Sequence, residues 1–304
     1  MPGPIRPTNT TNRVSLDVAN SRVESLKDFA GLAMEAEIAL SDPGPDRMPR
    51  KQVSSFKWTT GRATVGMGMG TGLYHWIQRA FDGTGAPTNG SLVLADFNYK
   101  AQSRLDFEDA ILTSITVPKL DGSSKDAAYF GVEFEPGRVR YSKAGGEDIR
   151  GLAGTKQKAW LCSNFRVEIG SLPCDRVASV DSFTWKSVVS TDLTGLSQTP
   201  SRSPAQVTVP DLSLAISMAD QAPWAEAARK WFIDGERTDA SEMSGRIVFL
   251  GPNLKDELGE ISLRNIGFKR FSLVSPGATG EEISRFNCGL YVERMAFKIN
   301  AYSL

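Results

Sequence analysis

The sequence predicts a mainly β protein in which each half is a β-barrel or sandwich flanked by one helix, and three observations carry that expectation. Val- and Phe-rich stretches alternate apolar with polar residues, the mark of half-buried strands. Each half has a single segment with apolar residues at clear helical spacing, 72–81 and 223–233. Two stretches in different halves share one pattern: LDFEDAILTSITVPKLDGSSKDAAYFGVEFEPGRVRY (Leu105 to Tyr141) and EISLRNIGFKRFSLVSPGATGEEISRFNCGLYVERMAFKI (Glu260 to Ile299).

In this pairing Leu105 and Phe107 fall opposite Ile261 and Leu263, Ile115 opposite Phe271, and Gly131 to Glu135 opposite Gly289 to Glu293. The polar links DGSSKDAA and PGATGEEI occupy the same place in each copy and suit surface turns. An offset of roughly 155 residues is too long for a solenoid and fits a duplicated domain. The expected layout is an N-terminal arm over 1–12, a first domain over 13–142, a Gly- and charge-rich linker over 143–158, and a second domain over 159–304.

The arm carries three prolines among small polar residues. Arg13 to Val18 alternates as a strand. Arg22 to Leu40 holds many helix formers, but its counterpart from Phe165 to Val189 is rich in Val, Phe, Thr and Trp, so both are read as strands. Arg13-Val14 matches Arg166-Val167, Arg22-Val23 matches Arg176-Val177, and Phe29 matches Phe183. Pro-, Ser- and Thr-rich loops follow, Ser41 to Gln52 and Ser190 to Gln206. The first helix puts Leu73, Trp76, Ile77, Ala80 and Phe81 on one face, and the second does so with Trp224, Ala227, Ala228, Trp231 and Phe232. Pro223 is expected in the first turn, and Asp82-Gly83 and Asp234-Gly235 end the helices. Strands over 92–99 and 246–251 come next.

At 304 residues, with 35 basic and 35 acidic side chains evenly spread, the chain has room for two cores and lacks the basic excess of a nucleic-acid binder held by phosphate contacts. The three cysteines, Cys162, Cys174 and Cys288, have no CxxC spacing and read as buried reduced thiols. No signal peptide or membrane span is expected, so the chain reads as soluble and made in the cytoplasm. Catalytic, cofactor and metal residues are expected to be absent. His75 is the single histidine, which leaves no Cys/His cluster and no elbow-type triad. The run GMGMGTG (Gly66 to Gly72) fails the GxGxxG spacing and reads as a strand whose glycines permit close packing. Glu133 and Glu135 share a strand face, as many solvated pairs do.

The segment FEDAILTSITVP (Phe107 to Pro118) with LDGSSKDAAYFGVEFEP (Leu120 to Pro136), together with LYHWIQ (Leu73 to Gln78), resembles the tail tube proteins of contractile-tailed phages and related injection systems. The likeness covers most of the first half. It implies tandem tube-like folds that close into rings and stack as a tube, with no enzyme activity. The expected role is a ring of the inner tail tube or of the tube–baseplate junction. Implied partners are further copies in trimeric (pseudo-hexameric) or hexameric rings and other tube, sheath, baseplate or hub proteins. DNA or an effector would be cargo in the lumen, within a virion tail or injection particle assembled in the bacterial cytoplasm, without a membrane. A paired β-sandwich binding module for carbohydrate or protein is the alternative, and a carboxylate hydrolase a third reading.

Overall fold

The computed structural model describes residues 13–41, 48–149, 160–192, 201–273 and 284–300. The arm over 1–12, the linker residues 150–158 and the turn over 276–283 lie outside the described residues. The architecture is mainly β. The first half runs β1 (Arg13–Val18), β2 (Ser21–Arg22), β3 (Leu26–Ala30), β4 (Met34–Ser41), β5 (Arg50–Trp58), β6 (Gly61–Val65), α1 (Thr71–Phe81), β7 (Thr88–Ala95), β8 (Ala101–Val117), β9 (Leu120–Asp121), β10 (Phe130–Glu135) and β11 (Arg138–Lys143). The second runs β12 (Phe165–Ile169), β13 (Val177–Val180), β14 (Phe183–Asp192), β15 (Ser201–Thr208), β16 (Leu212–Ser217), α2 (Gln221–Arg229), β17 (Met243–Leu250), β18 (Glu257–Leu273) and β19 (Arg285–Ile299).

Strand order is β1-β7-β8-β10-β6-β3 in the first half and β12-β17-β18-β19-β16-β13 in the second, all antiparallel. The long strands β8 and β18 each bend at a left-handed residue, Asp109 (φ 52) and Asn265 (φ 56), types that tolerate this backbone better than other non-glycine residues. Below its bend β8 pairs with β7 and β11, and above it with β10.

The register corrects the alignment expected from the sequence. Phe134 pairs with Leu112 and Glu133 with Ser114 across a bulge, and Leu290 with Phe268 and Gly289 with Arg270 across the same kind of bulge. Phe134 is therefore the counterpart of Leu290, and Gly131 of Asn287 rather than Gly289. Leu16 and Val167 correspond through their partners Leu92 and Ile247. Phe29, opposite Ala63, corresponds to Val180 opposite Leu214, not to Phe183, and Leu26 to Val177. The slips at Leu16 and Phe134 are of two residues, the repeat of a strand, so they keep every face and leave no trace in the pattern; those at Phe29 and Leu26 are of three.

Four further expectations change. The run Tyr129 to Tyr141 is two strands, because Pro136 offers no ladder N–H and the Gly137 amide turns to the Glu108 carbonyl at 2.9 Å. The loops Ser41 to Gln52 and Ser190 to Gln206 overlap hairpin arms, since β5 begins at Arg50 and β15 at Ser201; residues 42–47 and 193–200 lie outside the described residues. Pro204 fits within β15 because the pairing with β14 shifts register there. In the linker, residues 143–149 pack on the first half: Ile149 is buried against Val93, Ala95 and Ala101. The second helix continues from α2 into a π turn over Lys230–Asp234. The wider turn rotates Phe232 off the buried stripe to 42% exposure, while Trp224, Ala228 and Trp231 stay inside. Pro223 lies in the first turn, where its missing N–H has no intrahelical partner to lose.

One continuous core holds both halves. Phe130 stacks on Trp160 at 4.9 Å and meets Phe249 and Phe297 edge-on at 5.7 and 5.4 Å, so a first-half ring sits among three second-half rings.

Candidate assembly interface

The halves meet along a seam where one sheet runs into the other. β7 stops pairing with β8 at Ala110, which leaves the upper part of β8 open on that side. β14 fills it: Phe183, Thr184, Trp185 and Lys186 pair with Val117, Thr116, Ile115 and Ser114. Strand alternation sends Phe183 (5% exposed) and Trp185 (2%) inward. Trp185 packs on Phe81, at the end of α1, at 5.6 Å, and Phe81 stacks on Phe297 of β19 at 6.0 Å. Each such ring removed from water stabilises the seam by about 1.5–3 kcal/mol. Polar contacts also run along the seam's margin. The Thr116 and Thr184 hydroxyls bond at 3.0 Å, Ser182 Oγ donates to the Val117 carbonyl at 2.8 Å, and Arg202 Nη2 donates to Glu135 Oε2 at 2.7 Å.

β9 extends the seam by pairing Leu120 and Asp121 with Val180 and Ser179 of β13. Asp121 accepts hydrogen bonds from the Ser123 hydroxyl (2.6 Å) and amide (3.0 Å), with Lys119 3.2 Å away, which holds its carboxyl down to about 2. A carboxylate depressed in the folded state contributes stability that is present above the unfolded carboxylate range and lost as pH falls from about 4 toward about 2. Asp121→Asn is expected to remove that part of the acid sensitivity, roughly 1 kcal/mol after solvent screening. Urea midpoints of both proteins at neutral pH and near pH 2 measure it; an unchanged pH dependence would count against the assignment.

A second seam-like element stands apart. β4 and β5 form a two-stranded sheet that joins no other strand among the described residues. It exposes Met34 (57%), Ile38 (52%), Leu40 (67%), Val53 (65%) and Phe56 (63%). A ribbon with open edges and this much apolar surface is a candidate for association.

The residues weighed for chemistry are scattered. His75 is on the exposed side of α1, with Nδ1 3.4 Å from Gln78 Oε1. Glu133 pairs with Arg62 at 2.9 Å and Glu135 with Arg202 at 2.7 Å, both as structural ion pairs. Gly66 to Gly72 is not a strand: β6 ends at Val65, Gly66 to Gly70 form a loop, and Gly72 lies in the first turn of α1. Their close-packing role holds, since a Cβ on Gly70 would lie 2.2 Å from the Arg22 carbonyl oxygen and one on Gly72 2.0 Å from that of Val18. All three cysteines are free; burial pushes the Cys288 thiol up to about 12 and Cys174 to about 11. Among the described residues no group of three His, Cys, Asp or Glu side chains could hold a metal, and no helix is long and apolar enough to cross a membrane. Sequence reasoning missed Trp185 as a seam residue and Met34 as part of an exposed apolar ribbon. Their signal was a tryptophan and a cluster of apolar residues on strands followed by polar hairpin sequence.

No protein-family model matches the chain, and no curated protein matches it. Among solved structures it is similar to a chain of the PVC sheath–tube complex, an extracellular contractile injection system, in its extended state: 18% identity over 46% of this chain and 95% of that chain, TM-score 0.39. The anti-feeding prophage cap (AFP tube terminating cap) matches at 16% identity over 46% of this chain and 94% of that one, TM-score 0.39. The anti-feeding prophage baseplate matches at 14% identity over 44% and 91%, TM-score 0.34. The structural neighbours of this chain are thus tube, cap and baseplate components of contractile injection systems.

Proposed function

We propose that this chain is a non-catalytic structural component of a phage tail or contractile injection system. It consists of two fused tube-type units and forms a ring of the inner tube or of the tube–baseplate junction. The observation that carries this reading is the strand order occurring twice in one chain, with the sheet of one unit continued into the next through β8 and β14. The sequence resemblance of Phe107 to Pro136 to tail tube proteins supports the same reading. Three chains then supply six units, giving a ring of true three-fold and apparent six-fold symmetry, a geometry suited to joining a three-fold hub to a six-fold tube. Tube, sheath and baseplate proteins are the partners, DNA or an effector the cargo, and a virion tail or injection particle built in the cytoplasm the location. Electron microscopy with native mass spectrometry tests this. Rings of three chains are expected; six chains per ring would retire the adaptor in favour of a tube subunit with an added domain, and a protein that stays monomeric at every concentration would overturn the ring itself.

A further inference from the structure

The internal seam has a second, unmade edition at the chain's outer ends, which rests on the ring reading above. Strand register identifies it residue by residue. Lys57 and Thr208 stand equally far before β6 and β16, and they pair with Glu35 and Lys186. Met34 is therefore the counterpart of Trp185, and Glu35 of Lys186. On the receiving strand, Val132 pairs with Ile115 as Cys288 does with Phe271, and Glu133 with Ser114 as Gly289 does with Arg270. Phe271 thus corresponds to Ile115, and Arg270 to Ser114. Tyr141 lies opposite Leu105 as Phe297 lies opposite Ile261, which makes Tyr141 the counterpart of Phe297.

The burial of these counterparts differs in one direction. Trp185, Phe81 and Phe297 are 2%, 9% and 3% exposed at the internal seam, whereas Met34 and Tyr141 are each 57% exposed. Phe232 and Ile233, which end the second helix as Phe81 ends the first, are 42% and 77% exposed. The acceptor edge is open as well: β17 pairs with β18 only as far as Ile266, and no strand lies beside 267–273 on that side among the described residues. Trp185, Phe81 and Phe297 thus each have an exposed equivalent at the two ends, whereas Leu32, the counterpart of Phe183, is already buried within its own half.

We infer that the β4–β5 hairpin of one chain adds to the upper edge of β18 in a second copy of this chain, in the register of β14 on β8. Met34 then lies opposite Phe271 and covers Phe232 and Ile233, and Tyr141 closes the far side. Glu35 lies opposite Arg270, an acid facing a base where the internal seam has Lys186 facing Ser114. Each chain has one donor hairpin and one acceptor edge, so the contact is head-to-tail and closes by rotation.

Disulfide trapping tests the register. In a Cys174→Ser background, Met34→Cys with Phe271→Cys is expected to give chain-to-chain crosslinks under mild oxidation. Met34→Cys with Ser262→Cys, on the part of β18 already covered by β17, is expected to give none. Met34→Asp should lower the ring fraction by roughly tenfold or more with an unchanged thermal midpoint, and Met34→Leu should retain rings. Glu35→Arg should weaken rings, with Arg270→Glu added to it restoring them. Rings that form from Met34→Asp as readily as from the unaltered chain, or crosslinks through Ser262→Cys but not Phe271→Cys, would overturn this seam while leaving the ring reading intact. An unaltered chain that neither forms rings nor crosslinks would overturn both.

Discussion

Phe130→Ala is expected to cost about 3–5 kcal/mol, the range for emptying a fully buried aromatic site, and to cost it in both halves at once. Phe130 belongs to the first half, but Trp160, Phe249 and Phe297, all from the second, surround its ring. At 1% exposure, beside neighbours at 3%, 0% and 3%, it leaves a cavity that no solvent-facing side chain can fold in to fill. Urea unfolding followed by tryptophan emission and by far-ultraviolet circular dichroism measures this. Both probes should move together to a lower midpoint. Two separated transitions, with only one displaced, would show that the halves are energetically independent.

Trp224→Ala is the other large effect. Trp224 is fully buried, packs against Phe268 and Phe286 at 6.2 and 6.3 Å, and donates its Nε1–H to the Pro173 carbonyl at 2.9 Å. Truncation removes the ring and strands that carbonyl, so the expected loss is about 3–5 kcal/mol. Trp224→Phe separates the two contributions: it restores most of the apolar volume and leaves about 1–3 kcal/mol for the unpaired acceptor. Denaturant midpoints of the three proteins decide it. A Phe variant as weak as the Ala variant would show that the lost hydrogen bond, not the lost volume, carries most of the cost.

Much of the fold was legible because alternation and helical spacing are local signals. Phe130, Val132 and Phe134 read as one buried face and are one; the helix expected over 72–81 is α1, longer by Thr71. The ambiguous helix formers of Arg22 to Leu40 became strands, as their counterparts indicated. What sequence could not fix was register, since a slip of two residues costs nothing in pattern and is resolved only by partners far along the chain. The return arms β5 and β15 were unreadable for a related reason. Their stability comes from main-chain ladders, which accept Ser, Thr and Arg as readily as Val. The seam was the least legible part, because nothing in the sequence around Trp185 indicates which distant edge covers it.

In the proposed ring the internal seam would also change how assembly depends on concentration. Where two units share a backbone, their contact forms at an effective concentration set by the connection rather than by the solution. In a closed ring of such chains every second seam is therefore intramolecular and survives dilution. Fewer free bodies must be brought together, so less translational and rotational freedom is given up on closure than for the same number of separate units. Such a ring would close at lower protein concentration than one built from single units, and so would be suited to forming first and setting the pattern on which single-unit rings grow.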